Sequence, residues 1–397
     1  MCELIIVVFL SCTTNSRPHE RSVSSDEQEV VYTDTESQNR DDNEIEITID
    51  DEVDNHRSYS EGLAAIKKDK KWGFINKRGK VVVPFKYDEV WPFSEGLAEV
   101  AKNNKHGYIN RNGDEVIPLK FNFAGEFSSG LATVREKDHF GVIDKTGQIV
   151  IPFIYDFIGN FSEGLVYAEH NSKGGFIDKN GNEIIPFIYG NNNISSEFRG
   201  GLAVVYGDHL DATFIIDKRG HVRYHCVRPY ILPLDDYYED GLFCIGVIQE
   251  PYRLGYIDQD GDVRVPLEYD YIPSFFSEGY VNVKKDGKWG YVDAYGNIAI
   301  AFFFDYCRPF KFGLGQVEKN NKWGCVDKDG EIVIPFEYDD MGDISEEIMA
   351  VKKNGKWGYI DKEGKVLYPL KYDEVETVSD GMAFVKRGGK SYIVSFE

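Results

Sequence analysis

Apolar and polar residues alternate in short runs along most of this chain, as in Leu97-Ala98-Glu99-Val100-Ala101-Lys102. A period of two predicts β-strands, since a helix would place apolar residues at three- and four-residue steps. Polar turns such as Asp286-Gly287-Lys288 and Asn354-Gly355-Lys356 follow these runs, and second strands such as Trp357-Gly358-Tyr359-Ile360-Asp361 come next. Asn-Gly or Asp-Gly between two alternating runs predicts a hairpin. Each second strand leads into Asp-x-x-Gly, as at Asp144-Lys145-Thr146-Gly147 and Asp361-Lys362-Glu363-Gly364. An Asp that opens a type I turn, with Gly at φ > 0 closing it, explains that spacing. The third strand is Val81-Val82-Val83-Pro84-Phe85 and its counterparts, with Pro84, Pro118, Pro152, Pro186, Pro266, Pro335 and Pro369 each five residues beyond the turn glycine. Proline donates nothing to a ladder, so this strand is expected at an edge or a bulge. Each unit reads as a three-stranded meander.

The units recur. One glycine follows a polar residue, as in Glu61-Gly62-Leu63 and Glu95-Gly96-Leu97, and a second comes eleven residues later, as in Trp72-Gly73 and His106-Gly107. From Gly73 to Gly175, and again from Gly290 to Gly358, the step is 34 residues. Residues 58–397 number 340, or ten periods. Glu347-Ile348 marks a copy without the first glycine. A lone meander cannot bury its apolar face, so neighbouring copies must stack and share one core. Ten copies exceed the usual ~4–8 blades of a propeller, and the last copy ends at Tyr392-Ile393-Val394 without a third strand. The expected fold is therefore all-β, about ten three-stranded meanders in an open twisted array or solenoid rather than a closed propeller. Two five-bladed rings are the closed alternative.

The motif E-G-L-A-x-V-x-K-x-x-K-W-G-[FYV]-I-D-K-x-G-x-x-V-I-P-F-x-Y-D runs nearly letter for letter through 58–90, 274–305 and 342–373. In this the chain resembles the WG-containing repeat family of bacterial proteins. The family is defined by a repeat and not by a reaction, so the resemblance implies a scaffold.

Ahead of the repeats lie two further segments. Residues 13–57 form an acidic stretch poor in apolar residues that reads as a disordered linker. Its alternative is a short strand over Glu44-Ile45-Glu46-Ile47-Thr48-Ile49, which alternates with period two. Residues 1–12 carry seven apolar residues, Leu4 to Leu10, ending in Phe9-Leu10-Ser11-Cys12. This segment resembles a bacterial lipoprotein signal with Cys12 as the acylated residue, although no basic residue precedes the apolar run. An envelope-tethered protein is the expectation, with an ordinary secretory signal or a cytoplasmic location as alternatives. Seven apolar residues are too few to span a bilayer, so membrane contact is expected only through the lipid. The formal charge of −22 repels phosphate backbones, which argues against nucleic acid.

Candidate chemistry is sparse. No nucleophile elbow, P-loop, dinucleotide fingerprint or Cys-x-x-Cys is present, and no catalytic residue or cofactor is expected. The recurrent Asp144, Asp178, Asp217, Asp258, Asp293, Asp327 and Asp361 read as turn caps. Asp258-Gln259-Asp260-Gly261-Asp262 alternates carboxylates as some calcium loops do, but lacks the downstream bidentate Glu. In the irregular fifth copy His221, His225 and Cys226 form a candidate zinc set, with His209 nearby in sequence. The six cysteines make no disulfide framework, and Cys226 with Cys244 is the one pair worth testing. Trp72, Trp289, Trp323 and Trp357 read as core, with a sugar-stacking ladder as the alternative. His106 stands in for one of these indoles. Trp91, outside their register, is the candidate exposed contact.

Function therefore divides three ways. The leading expectation is a non-catalytic scaffold that binds a protein or a glycan through the array surface. The others are a structural spacer at the cell surface and an enzyme with its site in the irregular 205–251 region.

Overall fold

The structure is a computed structural model that describes residues 46–48, 53–190, 197–207, 212–227, 232–239, 242–247, 252–258, 260–272 and 276–396. Its unit is an antiparallel sheet that reuses the predicted turns. In the first blade Leu63–Lys68, Lys71–Asn76 and Val81–Tyr87 pair in sequence, with Val53–His56 added on the other side of Leu63–Lys68. Glu61 and Gly62 enter this meander at φ 50° and 81° as a two-residue turn closed by Ser60 and Leu63. Asn76 closes the next turn by accepting the N–H groups of Arg78 and Lys80, both at 3.0 Å. Asp144 does the same for Thr146 and Gln148 in the third blade.

Among the described residues there are ten such sheets, eight with four strands and two with three. The expected three-stranded unit gains a strand because the third strand does not stop at its Tyr. It kinks at the following Asp or Asn and continues into the next sheet. Glu115–Phe121, for example, passes through Asn122 into Phe123–Ala124, which pairs with Leu131–Glu136. In the seventh blade the leading strand shrinks to a single bridge between Tyr271 and Lys284.

The Trp-Gly glycine has a different task from the turn glycines. Trp72 faces Tyr87 and Phe74 faces Val83, so the third strand bulges around Pro84 directly over Gly73. A Cβ on Gly73 would lie 2.4 Å from the Val83 carbonyl oxygen. The proline and the glycine are thus two halves of one feature: the proline opens a bulge on an edge strand, and the glycine lets it collapse onto its neighbour.

Successive blades are joined by three recurring contacts. Ser60 Oγ donates to the Phe93 carbonyl, and Ser277 Oγ donates to that of Phe310 at 2.7 Å. The glutamate of the Ser-Glu-Gly turn accepts the N–H of the next blade's glycine: Glu61 from Gly96, Glu95 from Gly130, Glu163 from Gly201, Glu278 from Gly313 and Glu346 from Gly381. The lysine of Asp-Lys-x-Gly then reaches back to the same glutamate, with Lys145 Nζ 3.0 Å from Glu95 and Lys218 Nζ 2.8 Å from Glu163. In the copy without the first glycine, Glu347 takes its place at φ 64° and Lys362 binds Glu347 instead.

These contacts close a ring, which corrects the expectation of an open array. Ser379 Oγ donates to the Tyr59 carbonyl at 2.7 Å, and the Asp380 carboxylate accepts the N–H of Gly62. The junction between the tenth and first copies therefore repeats the serine and carboxylate contacts of the regular junctions. The strand missing from the last copy comes from the acidic segment: Glu46–Thr48 pairs antiparallel with Lys390–Ser395, with Ile47 opposite Ile393. Part of the stretch taken as linker is thus strand, at Glu46–Thr48 and Val53–His56. Glu46 is clamped by Lys371 at 2.8 Å, Arg387 at 3.0 Å and the Tyr372 hydroxyl at 2.6 Å. Burial works to raise its carboxyl, but these partners hold it below the usual range. Around the seam Tyr59, Ala64, Ile66, Ile75, Met382, Phe384 and Ile393 form one buried cluster, and Ile47 packs on it. The ten-bladed ring contains no repeat of the five-blade alternative.

Two expectations test this architecture. Gly358→Val should cost about 3 kcal/mol, because its Cβ would sit 2.5 Å from the Tyr368 carbonyl oxygen; an unchanged thermal midpoint would refute the close approach. Ile47→Asp should expel the closing strand, lowering Tm by about 5 °C and enlarging the radius of gyration in small-angle scattering. Identical scattering and Tm would show that the seam holds without it.

Candidate functional site

One polar departure from the repeat lies where the first three blades meet. Glu99 lies on Leu97–Lys102, at a place that other copies fill with Ala65, Thr133, Tyr167, Asn282, Gln316 or Ala350. Thr133, Asn282 and Gln316 point their polar ends across the junction and donate to the carbonyls of Gly159, Cys307 and Gly342. Glu99, 5% exposed, turns to His106 instead, whose Nδ1 lies 2.6 Å from its Oε1. His106 is itself the residue that replaces the tryptophan. The two departures from the repeat satisfy each other.

Burial raises the Glu99 carboxyl to about 8 against the opposing pull of Arg57. Burial also lowers the His106 imidazole, with Arg135 and Lys105 adding to the effect. Both shifts favour the uncharged pair near neutral pH, in which the carboxyl donates to Nδ1. The Trp91 ring lies 5.6 Å from that of His106, and the Arg57 guanidinium sits 5.9 Å from Trp91 and 5.1 Å from Trp72. Arg57 also approaches Glu89 at 3.5 Å. Trp91 is half-buried between a cation and an imidazole, so the expected exposed contact is a partly covered one. Arg135 continues the patch over Phe140 at 5.6 Å, with its Nε buried and unpartnered.

The other expected sites lie apart from this one. His221 Nδ1 is 3.2 Å from Asp217, while His225 stacks on Phe214 at 4.7 Å. The side chain of Cys226, all of His209 and Cys12 lie outside the described residues. Among the described residues no group of three His, Cys, Asp or Glu side chains is placed to hold a metal. Asp258 spends its carboxylate on the N–H groups of Asp260 and Asp262 and on Arg264 at 2.7 Å, as a turn cap does. Cys244 is a free buried thiol, so it forms no bridge with Cys226. Trp72, Trp289 and Trp323 are buried. Trp289 and Trp323 meet aromatic neighbours edge to face, in the series Tyr271–Trp289–Tyr306–Trp323, with centroid spacings of 5.8, 5.1 and 5.8 Å.

Glu99 escaped the sequence reading because period two assigned it to a solvent face. Both faces of a blade's sheet are covered by neighbouring blades, and all of Leu97 to Ala101 is buried. The signal that could have found it is a charged residue at 99, a place uncharged in the other copies, paired with the loss of the indole at 106.

The sign of the pH effect follows from the raised carboxyl. Glu99 contributes stability that is complete below the unfolded pKa near ~4.5 and is lost as pH rises through about 8. Glu99→Gln removes that loss, so its stability relative to the parent should increase from pH 5 to pH 8, by about 3 kcal/mol. Urea unfolding at the two pH values checks this; a difference independent of pH would mean Glu99 is ionised in the fold.

Comparison with known proteins places the scaffold. No curated protein matches the chain. Among solved structures it is similar to a eukaryotic initiation factor at 10% identity and TM-score 0.47, over 78% of this chain and 96% of that one. It is also similar to AztD from Citrobacter koseri at 11% identity and TM-score 0.35, over 79% and 92%, and to BamB from Moraxella catarrhalis at 11% and 0.31, over 78% and 94%. The family description "WG containing repeat" matches residues 51–72, 72–105, 107–138, 140–173, 175–206, 255–289, 289–323, 323–357 and 357–390. With nine matched segments over most of its length, the chain belongs to the WG containing repeat family.

Proposed function

We propose that this protein is a non-catalytic interaction scaffold, tethered to a bacterial envelope through Cys12, whose ring engages a protein or glycan partner at the Trp91 patch. The observation that carries this is the gathering of variable residues around one partly exposed indole: His106 replaces the motif tryptophan, Arg57, Trp91 and Glu99 occupy positions that the motif leaves open, and all four meet there. Positions free of the repeat's folding constraints are where a repeat protein places its specificity. Tryptophan and arginine are also the residues that most often dominate binding energy. The buried Glu99–His106 pair fixes the imidazole against which Trp91 rests.

The spacer reading loses its support with the closed ring, since a ring does not lengthen in proportion to its copies as an open array does. The enzyme reading rested on 205–251, which lies partly outside the described residues.

The test uses the full chain, parent and Trp91→Ala, against envelope extract and a panel of immobilised glycans. Saturable binding that falls tenfold or more in the variant, ~1.4 kcal/mol or greater, with Tm unchanged, is the expected result. Equal capture by both proteins would remove the Trp91 patch from the function.

A further inference from the structure

Three sulfur atoms converge in the core between the eighth and ninth blades. Cys325 Sγ lies 3.7 Å from Met341 Sδ and 3.7 Å from Met349 Sδ. The three residues stand on different strands, Lys322–Val326, Asp340–Met341 and Ile348–Lys353, and none is more than 1% exposed. The chain has only four methionines, and two of them meet this one thiol.

The repeat shows how unusual the placement is. Where Cys325 stands, other copies carry an aromatic ring, at Phe74, Tyr108, Phe176, Tyr256, Tyr291 and Tyr359, or an aliphatic side chain, at Val142, Ile215 and Ile393. Tyr108, Tyr291 and Tyr359 use the hydroxyl to reach a carbonyl seventeen residues on, at Gly125, Arg308 and Glu376. The corresponding carbonyl here is that of Gly342, and Gln316 Nε2 serves it at 2.7 Å. Cys325 is thereby released from the inter-blade hydrogen bond. Met349 stands where other copies have Ala64, Ala98, Ala132 or Val281, and Met341 where they have Val90, Ala124 or Ile158. Filling the space left by a lost aromatic ring explains larger side chains here, but leucine or isoleucine would fill it as well. It does not explain two thioethers aimed at one sulfur. A thiol has a single proton and can satisfy one of them at a time.

We propose that Cys325, Met341 and Met349 form a binding site for a soft monovalent metal ion, Cu(I). A donor set of one thiolate and two thioethers, with no nitrogen or oxygen ligand, selects Cu(I) and disfavours the harder Ca(II), Mg(II) and Mn(II). With metal–sulfur bonds of about 2.3 Å, sulfurs around one ion stand about 3.8–4.0 Å apart, within a few tenths of an ångström of both cysteine–methionine spacings, 3.7 Å each. Binding exchanges the thiol proton for the metal: the S–H bond breaks, a sulfur–copper bond forms, the proton leaves to solvent and no oxidation state changes. Burial pushes the Cys325 thiol up to about 12, while the Arg308 guanidinium pulls the other way and favours the thiolate. Arg308 is held there by the Trp323 ring at 4.4 Å and the Met341 carbonyl at 2.7 Å.

The experiment is an anaerobic titration of the full chain with Cu(I) in competition with a chromophoric Cu(I) chelator, followed by X-ray absorption at the copper edge. The parent should withdraw one equivalent from the chelator and show a shell of three sulfurs. Cys325→Ser should abolish withdrawal, and the volume-conserving pair Met341→Leu, Met349→Leu should weaken it about 100-fold or more, while Cys307→Ser leaves it unchanged. Should Cys325→Ser fail to fold, as read by circular dichroism, the methionine pair decides the matter. No withdrawal by the parent, a nitrogen or oxygen shell, or withdrawal undiminished in the methionine pair would each overturn the proposal.

Discussion

The junction between blades is the interaction on which everything else here depends. A single sheet of three or four short strands leaves two apolar faces open, and neither can stay in water. At the regular junctions a blade therefore hands a serine hydroxyl and a turn carboxylate to the backbone of the next, as Ser60 and Glu61 do, and where Glu95, Glu163 and Glu278 supply the carboxylate a lysine comes back to it. The glutamates are about a third exposed, so the individual ion pairs contribute little, on the order of 0–1 kcal/mol. Their value is positional. They set one spacing and one direction of stacking, and the buried clusters that straddle every junction supply the bulk of the stabilisation. Because the tenth junction repeats the serine and carboxylate contacts, closure needs no special device beyond a strand to complete the last sheet.

That dependence explains why so much of the repeat could be read in advance and why closure could not. The strand and turn pattern is local: alternation, Asn-Gly and Asp-x-x-Gly turns and the proline five residues past the turn each act within a few residues, and the hairpins form where they fall. The fourth strand was missed because Asn122 and its counterparts look like the end of a strand when they are kinks within one. Closure joins Glu46 to Val394, and no local signal links two such distant segments. The alternation of Glu-Ile-Glu-Ile-Thr-Ile was visible, but its acidic surroundings argued for solvent. The charge that seemed to make Glu46 unfit for a sheet is the group that Lys371, Arg387 and Tyr372 hold in place.

The candidate site was legible in part for the same reason. Trp91 stood out because it lies outside the indole register, and the structure sets it beside His106 and Arg57. Glu99 did not stand out, because alternation distinguishes two faces of a strand only where one of them meets water. In a ring of blades both faces are interior, so a polar residue on the second face is a buried one that requires a partner. Thr133, Asn282 and Gln316 find that partner in the backbone of the next blade, and Glu99 finds it in a side chain of its own.

In such an array a substitution is informative when its consequence is not absorbed by the fold. Gly174 replaces an indole in the fourth blade, and Tyr167 from the paired strand fills the space, its hydroxyl lying where a side chain on Gly174 would begin. That exchange is complete: a large apolar group is lost and another restored, and the Tyr167 hydroxyl meets Glu169 at 3.2 Å. The exchanges at Glu99 with His106, and at Cys325 with Met341 and Met349, are not of that kind. Packing alone asks for an uncharged residue at 99 and for no sulfur at 325, 341 and 349. What stands there instead is a titratable pair in one case and three convergent sulfurs in the other, and both carry a chemical capacity that packing does not need. Folding constrains every copy alike, so chemistry confined to one junction is where function should be sought in this ring.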